Sequence, residues 1–199
     1  MKKGVKKSIA YIIPGNLESH KKQPSYNKIA ILFESKGIVP VHVKIEWKKN
    51  KVKSFNDYNQ QFLKLYKRPK STAVYILGFS FGALIAFLTT ADTKPEGLIL
   101  CSLSPYFEED LVSMRQDWLK YWEKYFPYDN FSFNKLVKKV KCKTYVIVGD
   151  KESTWSLTRA RELNKMIKGS EIFLAKDAEH KINQKEYLKT VEKVIARLQ

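Results

Sequence analysis

The sequence has little of the residue types that build disulfide frameworks and metal centres. It contains two cysteines, Cys101 and Cys142, and three histidines among 199 residues. Neither cysteine belongs to a C-x-x-C pair or stands beside a histidine, so we expect no disulfide and no metal site. Isolated thiols fit a reducing compartment. The sequence therefore predicts a cytoplasmic protein that needs no cofactor.

Long apolar runs are also missing from the sequence. The first fifteen residues, MKKGVKKSIAYIIPG, imitate the basic and apolar regions of a signal peptide. Their apolar run is short and no small-residue cleavage site follows it, so we do not interpret them as a leader. No other stretch approaches the roughly 20 apolar residues that a membrane span needs. We expect no membrane insertion.

Acidic residues are scarce. The sequence has 20 Asp and Glu residues and 37 Lys and Arg residues, which gives a formal net charge of +17. Such a charge raises the possibility of nucleic acid or an acidic ligand as a partner. The five arginines are scattered, however, and recognition of bases and phosphates favours arginine over lysine. We interpret the lysine runs as solvated surface and expect no nucleic-acid partner. Attraction of an anionic substrate is the alternative, and the sequence does not determine the oligomeric state.

What the sequence does have is a regular alternation of short apolar runs and longer amphipathic stretches. The apolar runs predict strands over residues 8–13, 38–45, 72–77, 97–101, 143–148 and 171–175. The amphipathic stretches predict helices over residues 25–36, 55–66, 81–91, 156–167 and 184–198. Strands without polar alternation are typical of a parallel sheet that is buried on both faces. We predict one domain over residues 1–199, a three-layer α/β/α sandwich with about six mainly parallel strands.

One segment, residues 104–133, is much longer than a usual connection between a strand and the next helix. Its apolar and aromatic residues follow helical spacing, which predicts a pair of helices. Trp118 and Trp122 belong to this aromatic stripe. Two interpretations remain open: the stripe packs on the rest of the domain, or it forms a small cap that lines an apolar substrate pocket.

The stretch Gly78-Phe79-Ser80-Phe81-Gly82 matches the pattern G-x-S-x-G. The pattern alone is weak, but here it lies between a predicted strand and a predicted helix. That context is the strand, sharp turn and helix of a nucleophile elbow, in which glycines leave room for a strained backbone. A serine that merely caps the helix would not need a glycine on each side, so we favour Ser80 as a nucleophile.

With this motif in this context, the chain resembles the α/β-hydrolase fold family over nearly its whole length. The family orders its triad as Ser, then Asp or Glu, then His. The resemblance implies that the acid lies in YVIVGDKES, where Glu152 is favoured and Asp150 is the alternative. It implies that the base is His180, the histidine after the last predicted strand. His42 lies inside a predicted strand, and His20 breaks the order.

The resemblance also implies two amide donors for an oxyanion. The amide of Phe81 is one, and the other comes from IIPGNLES, where Asn16 is favoured and Leu17 is the alternative. Phe79, Leu17, Trp118 and Trp122 are the expected substrate contacts. The chain departs from the family pattern at Pro14 and Glu179, where the family often has His and Gly. It also lacks the first two edge strands of larger members, so it resembles the family's small, compact serine hydrolases.

The function that this resemblance implies is hydrolysis of an ester or thioester with an apolar acyl group of small to medium size. The expected enzyme is a carboxylesterase or a thioesterase that forms an acyl-enzyme on Ser80. The same residues serve an acyltransferase or an enzyme that cleaves carbon–carbon bonds, because function resides in the site and not in the fold. A non-catalytic binding protein is the remaining alternative.

Overall fold

The structure is a computed structural model, and it describes residues 8–16, 18, 21–48, 52–112, 120 and 129–198. Its centre is a six-stranded sheet in which every pair of neighbouring strands is parallel. The order across the sheet is β2-β1-β3-β4-β5-β6. The strands are β1 (Ser8–Ile13), β2 (Val39–His42), β3 (Ala73–Phe79), β4 (Gly97–Cys101), β5 (Lys143–Gly149) and β6 (Glu171–Ala175). The prediction of about six mainly parallel strands is confirmed.

Helices cover both faces of the sheet. Those of the described residues are α1 (Ser25–Ser35), α2 (Asn56–Leu65), α3 (Phe81–Leu88), α4 (Thr90–Thr93), α5 (Glu108–Leu111), α6 (Phe133–Leu136), α7 (Thr154–Met166) and α8 (Lys185–Ile195). A short 3₁₀ helix, Val137–Lys139, follows α6. None of these helices has the length and apolar character needed to cross a membrane.

Strand β3 explains the three layers, because its side chains alternate between two apolar cores. Val74 and Ile76 pack in one core with residues of α2, α3 and α7. Tyr75 and Leu77 pack in the other core with residues of α1 and α8. A strand that is buried on both faces must be apolar throughout. The predicted α/β/α sandwich is therefore confirmed.

Strand β2 is shorter than predicted. The apolar pattern indicates a strand up to Ile45, whereas the strand ends at His42. β2 is an edge strand that pairs only with β1, and this pairing ends where His42 lies opposite Ile12. Val43 and Ile45 are still buried in the core. Their apolar character reflects burial, since neither residue belongs to the strand, although the Val43 amide still donates to the Ile12 carbonyl over 2.9 Å.

Of the long connection between β4 and β5, the structure describes mainly the two ends. Its start contains α5 and its return contains α6, and hydrogen bonds join them: the Glu108 amide donates to the Phe131 carbonyl over 2.8 Å. The ring centroids of Phe107 and Phe133 lie 5.3 Å apart. Trp118, Trp122 and most of the predicted helix pair lie outside the described residues.

Candidate active site

The candidate site lies at the carboxyl end of the sheet. β3 leads directly into Ser80, β4 into Ser102 and Ser104, and the turn after β5 carries Glu152. In a parallel sheet these strand ends meet at one edge, which is where open α/β sheets usually form sites. The loop after β6 carries His180 to the same edge. The fold thus brings together residues that are up to 100 positions apart in the chain.

Ser80 occupies a sharp turn between β3 and α3. Its backbone has φ 55° and ψ −120°, a conformation that a residue with a side chain rarely adopts. Its amide donates to the Cys101 carbonyl over 2.8 Å, which ties the turn to β4. Gly82 packs against the end of β1 so closely that an added Cβ would lie 2.3 Å from the Ile13 carbonyl oxygen. Only glycine fits there.

A chain of hydrogen bonds runs from Ser80 through His180 to Glu152. The Ser80 hydroxyl lies 2.9 Å from His180 Nε2, and His180 Nδ1 lies 2.8 Å from Glu152 Oε2. A carboxylate only accepts hydrogen bonds, so Nδ1 carries the proton of the neutral ring and Nε2 accepts from the serine. This arrangement can remove the hydroxyl proton as the serine attacks a carbonyl carbon.

His180 is the exposed member of this chain, and it lies between two buried residues, Ser80 and Glu152. The His180 side chain is 43% exposed, whereas that of Glu152 is fully buried. Glu152 Oε1 accepts 2.8 Å from the Gly149 amide and 2.5 Å from the Ser102 hydroxyl, so both carboxylate oxygens have donors. Buried charges need such partners. His180 faces solvent, where a substrate can reach it.

Of the two candidate acids, the structure brings Glu152 to His180 and leaves Asp150 apart from it. Asp150 lies directly after β5, where its amide donates to the Ala175 carbonyl over 3.1 Å and its side chain is exposed. The loop of Glu152 reaches the loop of His180 because Gly149 has no side chain. A Cβ on Gly149 would lie 2.2 Å from the Ala178 carbonyl oxygen.

Phe79 was expected to contact substrate, and it lies buried beneath the site. Its ring centroid is 5.1 Å from that of His180 and 5.8 Å, edge to face, from that of Tyr187. It therefore packs under the imidazole. A role in positioning His180 fits this location better than a direct substrate contact.

The expected oxyanion donors lie at the start of α3 and in the loop after β1. Phe81 is the first residue of α3, directly after Ser80, and the end of β1 packs against the same turn. In the loop after β1, the Gly15 amide already donates to the Tyr26 hydroxyl over 2.9 Å, and the Tyr26 hydroxyl donates to Glu18. Asn16, the residue after Gly15, is half-buried. Leu17, the alternative, lies outside the described residues.

Tyr26 and Glu18 form a hydrogen-bonded pair that holds the Gly15 amide, and the sequence does not predict it. Burial above all, and then the neighbouring Glu18 carboxylate, raises the pKa of the Tyr26 phenol well above its ordinary value. The phenol therefore stays protonated and donates to Glu18 at every physiological pH. No sequence pattern indicates this pairing, because Tyr26 lies on the apolar face of a helix and resembles any core tyrosine.

Three further hydroxyl groups near the site were not predicted. Ser104 Oγ lies 3.2 Å from Ser80 Oγ, and Ser102 Oγ lies 2.5 Å from the Tyr187 hydroxyl oxygen. A signal for the two serines did exist: in Cys101-Ser102-Leu103-Ser104 they directly follow the buried strand next to the elbow. Tyr187 had none, because it lies on the apolar face of α8.

Aromatic rings pack on the other side of the elbow. The Phe81 ring centroid lies 5.7 Å from that of Phe55, 5.9 Å from that of Tyr106 and 6.3 Å from that of Trp47. Phe131, from the return of the long connection, lies 6.1 Å from Phe55. We call Trp47, Phe55, Tyr58, Phe81, Tyr106 and Phe131 the aromatic cluster. The cluster includes Phe81, the residue directly after Ser80.

The nearest thiol is poorly suited to act as a nucleophile. Cys101 is fully buried, and burial, followed by the charge of Glu152, raises the pKa of its thiol far above the ordinary value. Thiolate is the reactive form, so this cysteine is inert at neutral pH. Across the described residues, no group of three His, Cys, Asp or Glu side chains could hold a metal ion.

Comparisons of sequence do not identify the chain. No family model matches it, and no curated protein matches it in sequence. Comparison of structures gives clear matches. The chain is similar to Est1E from Butyrivibrio proteoclasticus, with a TM-score of 0.72 and 12% identity over 98% of this chain and 88% of that one.

Two further solved structures match the chain with similar TM-scores and equally low sequence identity. An esterase, EaEST, from Exiguobacterium antarcticum matches with a TM-score of 0.74 and 13% identity, over 95% of this chain and 91% of that one. Alpha/beta hydrolase domain-containing protein 10 from mouse matches with a TM-score of 0.67 and 13% identity, over 94% and 88%. The chain therefore has the α/β-hydrolase fold, as its sequence predicts.

Proposed function

We propose that this protein is a serine hydrolase that cleaves an ester or a thioester through an acyl-enzyme. The observation that carries the proposal is the hydrogen-bonded chain from Ser80 through His180 to the buried Glu152. A simpler residue would form the same strained turn, so the fold itself does not need a hydroxyl group at Ser80, bonded to His180. Its chemical purpose is nucleophilic attack.

The proposed reaction has two stages. Ser80 Oγ bonds to the carbonyl carbon of the substrate while His180 Nε2 takes the hydroxyl proton, and the amides of Phe81 and Asn16 stabilise the oxyanion. The leaving alcohol or thiol takes that proton from His180 as its bond to carbon breaks. Water then attacks the acyl-serine, His180 accepts its proton and returns it to Ser80, and the free acid departs.

The proposed acyl group is apolar and of small to medium size. The two partly exposed rings of the aromatic cluster, Trp47 and Phe131, support this, since burying apolar surface against aromatic rings is favourable. The match to a structure of Est1E with ferulic acid bound, with a TM-score of 0.75 and 12% identity, suggests that aromatic acyl groups belong in the first substrate panel. The net charge of +17 favours an anionic leaving group, which makes acyl thioesters of anionic thiols the second panel.

Labelling with a fluorophosphonate probe tests the proposal. The wild-type protein should be labelled at Ser80 and should hydrolyse short p-nitrophenyl esters, and Ser80→Ala should lose both properties. Ser35→Ala is the matched control, since Ser35 is an exposed serine at the end of α1. Peptide mass spectrometry identifies the labelled residue. Labelling that persists in Ser80→Ala, or a folded wild-type protein that takes no label, contradicts the proposal.

A further inference from the structure

Behind Glu152 lies a pair of hydroxyl groups that the proposed reaction does not itself use. Ser102 Oγ lies 2.5 Å from Glu152 Oε1 and 2.5 Å from the Tyr187 hydroxyl. We propose that Ser102 and Tyr187 are positioning residues that orient the Glu152 carboxylate and, through it, the His180 ring. This inference rests on the proposed function of the same site.

The direction of each hydrogen bond follows from the chemistry of the groups. The carboxylate of Glu152 can only accept, so the single hydroxyl proton of Ser102 points to Glu152. The bond between Ser102 and Tyr187 must then be donated by the phenol. The Ile147 carbonyl, 3.3 Å from the Tyr187 oxygen, is a longer second acceptor for that proton. The order of donation is Tyr187 to Ser102 to Glu152.

Both hydroxyl groups are held where water cannot replace them. Ser102 is 1% exposed and Tyr187 is completely buried. The Ser102 amide donates to the Ile147 carbonyl over 2.7 Å, and the backbone of Ser102 has φ 50°. Burial first, and then the nearby Cys101 and Glu152, raises the pKa of the Tyr187 phenol well above its ordinary value. Tyr187 therefore remains a donor throughout the pH range in which imidazole acts as a base.

These contacts leave Glu152 one orientation. Its Oε1 is occupied by Ser102 and by the Gly149 amide, which turns Oε2 towards His180 Nδ1. Without the Ser102 hydroxyl, the buried carboxylate would lose one of its three donors and would be held less firmly in this orientation. Its negative charge, less well satisfied, would then hold a proton on the Glu152–His180 pair more strongly.

The other titratable groups near this pair do not supply a compensating charge. Cys101, on β4, remains a neutral thiol because of its burial. In the acid loop, Asp150 and Lys151 carry charges, and both side chains are exposed to solvent. On either side of His180, Glu179 and Lys181 carry opposite charges that pair over 2.5 Å, and both side chains are exposed as well. Solvent screens such charges. The pH profile of the enzyme should therefore report the loss of the Ser102 donor directly.

The test compares Ser102→Gly and Tyr187→Phe with the wild type. Glycine removes the hydroxyl and tolerates the positive φ, and phenylalanine removes only the phenolic oxygen. We expect kcat to fall about tenfold to a hundredfold in Ser102→Gly and about threefold to tenfold in Tyr187→Phe, with KM nearly unchanged. We also expect the acid limb of kcat/KM to move to higher pH by about half a unit or more in both variants.

Two control variants separate positioning from packing. Ser71→Gly replaces another serine at positive φ, here 58°, in an exposed turn before β3. Tyr75→Phe removes another buried phenol, from the middle of β3. Both should keep the wild-type pH profile. Thermal unfolding of every variant measures what each substitution costs the fold.

A nuclear magnetic resonance readout completes the test and does not depend on turnover. The His180 Nδ1–H proton, bonded to Glu152, should resonate far downfield in the wild type and move in both Ser102→Gly and Tyr187→Phe. An unchanged resonance together with kcat values within about twofold of the wild type overturns the inference. A wild type without esterase activity or probe labelling overturns the proposed function instead, and the resonance still decides on Ser102 and Tyr187.

Discussion

A buried carboxylate is stable in a folded protein only where hydrogen-bond donors replace the water that it has lost. Glu152 meets this condition through Gly149, Ser102 and His180. Asp150, two residues earlier, remains in solvent. Glutamate has one methylene more than aspartate, and from the last position of the turn, where the Glu152 amide donates to the Gly149 carbonyl over 3.2 Å, its carboxylate reaches inwards. Geometry at the scale of one side chain thus distinguishes two acids that the sequence leaves open.

The two carboxylates give a direct test at this scale. Glu152→Gln should lower kcat by about a thousandfold, because a neutral amide neither selects the His180 tautomer nor stabilises the imidazolium. Asp150→Asn is the matched control and should stay within about twofold of the wild type. Steady-state kinetics on a p-nitrophenyl ester measure both. Equal losses in the two variants, or a larger loss in Asp150→Asn, would contradict the role proposed for Glu152.

At the residue scale, a sequence predicts a site residue only where chemistry leaves a local pattern. Ser80 between two glycines and His180 after the last strand could be named because the chain order and the flanking elements constrain them. Ser102 and Tyr187 could not, since their importance comes from a contact across 85 positions. Phe79 shows the same limit. Its position beside Ser80 predicts a substrate contact, whereas the alternation of β3 turns its ring under His180.

At the scale of elements, one carboxylate joins the two ends of the long connection. Glu109, in α5, accepts hydrogen bonds from the Ser132 hydroxyl over 2.8 Å and from the amides of Phe133 and Asn134 over 2.8 and 3.0 Å. Burial by itself would raise the pKa of the Glu109 carboxyl. The two amides and the hydroxyl outweigh it and hold that pKa below its ordinary value of 4.5.

This junction predicts a pH-dependent loss of stability. A carboxyl whose pKa is lower in the folded state stabilises the fold above its unfolded pKa, and the contribution disappears as pH falls through the folded value. Glu109→Gln should therefore lower the free energy of unfolding by about 1 kcal/mol at pH 7. The difference from wild type should shrink below about pH 4.5.

Urea unfolding at pH 7 and pH 4 measures this effect. Glu108→Gln is the matched control, because Glu108 contributes its backbone amide to the junction and that amide is unchanged by the substitution. It should leave the stability at both pH values within about 0.5 kcal/mol of the wild type. A Glu109→Gln variant whose deficit persists undiminished at pH 4 would show that the charge of Glu109 is not what joins the two ends.

The ends of β2 and α3 also show where a sequence pattern fails to predict the boundary of an element. Val43 and Ile45, after β2, are apolar because they are buried, and the pattern cannot tell burial from membership of a strand. Helix α3 ends at Leu88, whereas the sequence pattern predicts a helix up to residue 91. There the hydroxyls of Thr89 and Thr90 donate to the carbonyls of Ile85 and Ala86, which offers the backbone alternative hydrogen bonds.

At the scale of the whole molecule, the net charge of +17 acts on stability whatever its role in binding. Like charges repel across a compact surface, and salt screens that repulsion. Exposed ion pairs such as Arg68 with Glu96, 2.6 Å apart, act in the opposite sense but contribute little. The repulsion should dominate.

The melting temperature should therefore rise with ionic strength. Screening that is worth about 1 kcal/mol raises it by about 2–4 °C for a chain of this size. Differential scanning fluorimetry between low and moderate sodium chloride measures the change, with sucrose as an uncharged control for general solute effects. A melting temperature that falls as salt is added would mean that the ion pairs outweigh the repulsion.

The sequence by itself determined the strand-and-helix alternation, the parallel sheet and the positions of Ser80 and His180. Each of these depends on local patterns: hydrophobic period, glycine placement and chain order. Only the tertiary structure decided which acid meets His180, which hydroxyls stand behind that acid and what Phe79 touches. Those outcomes depend on distances between loops that are far apart in the chain. Such distances arise from packing, which no single stretch of sequence encodes.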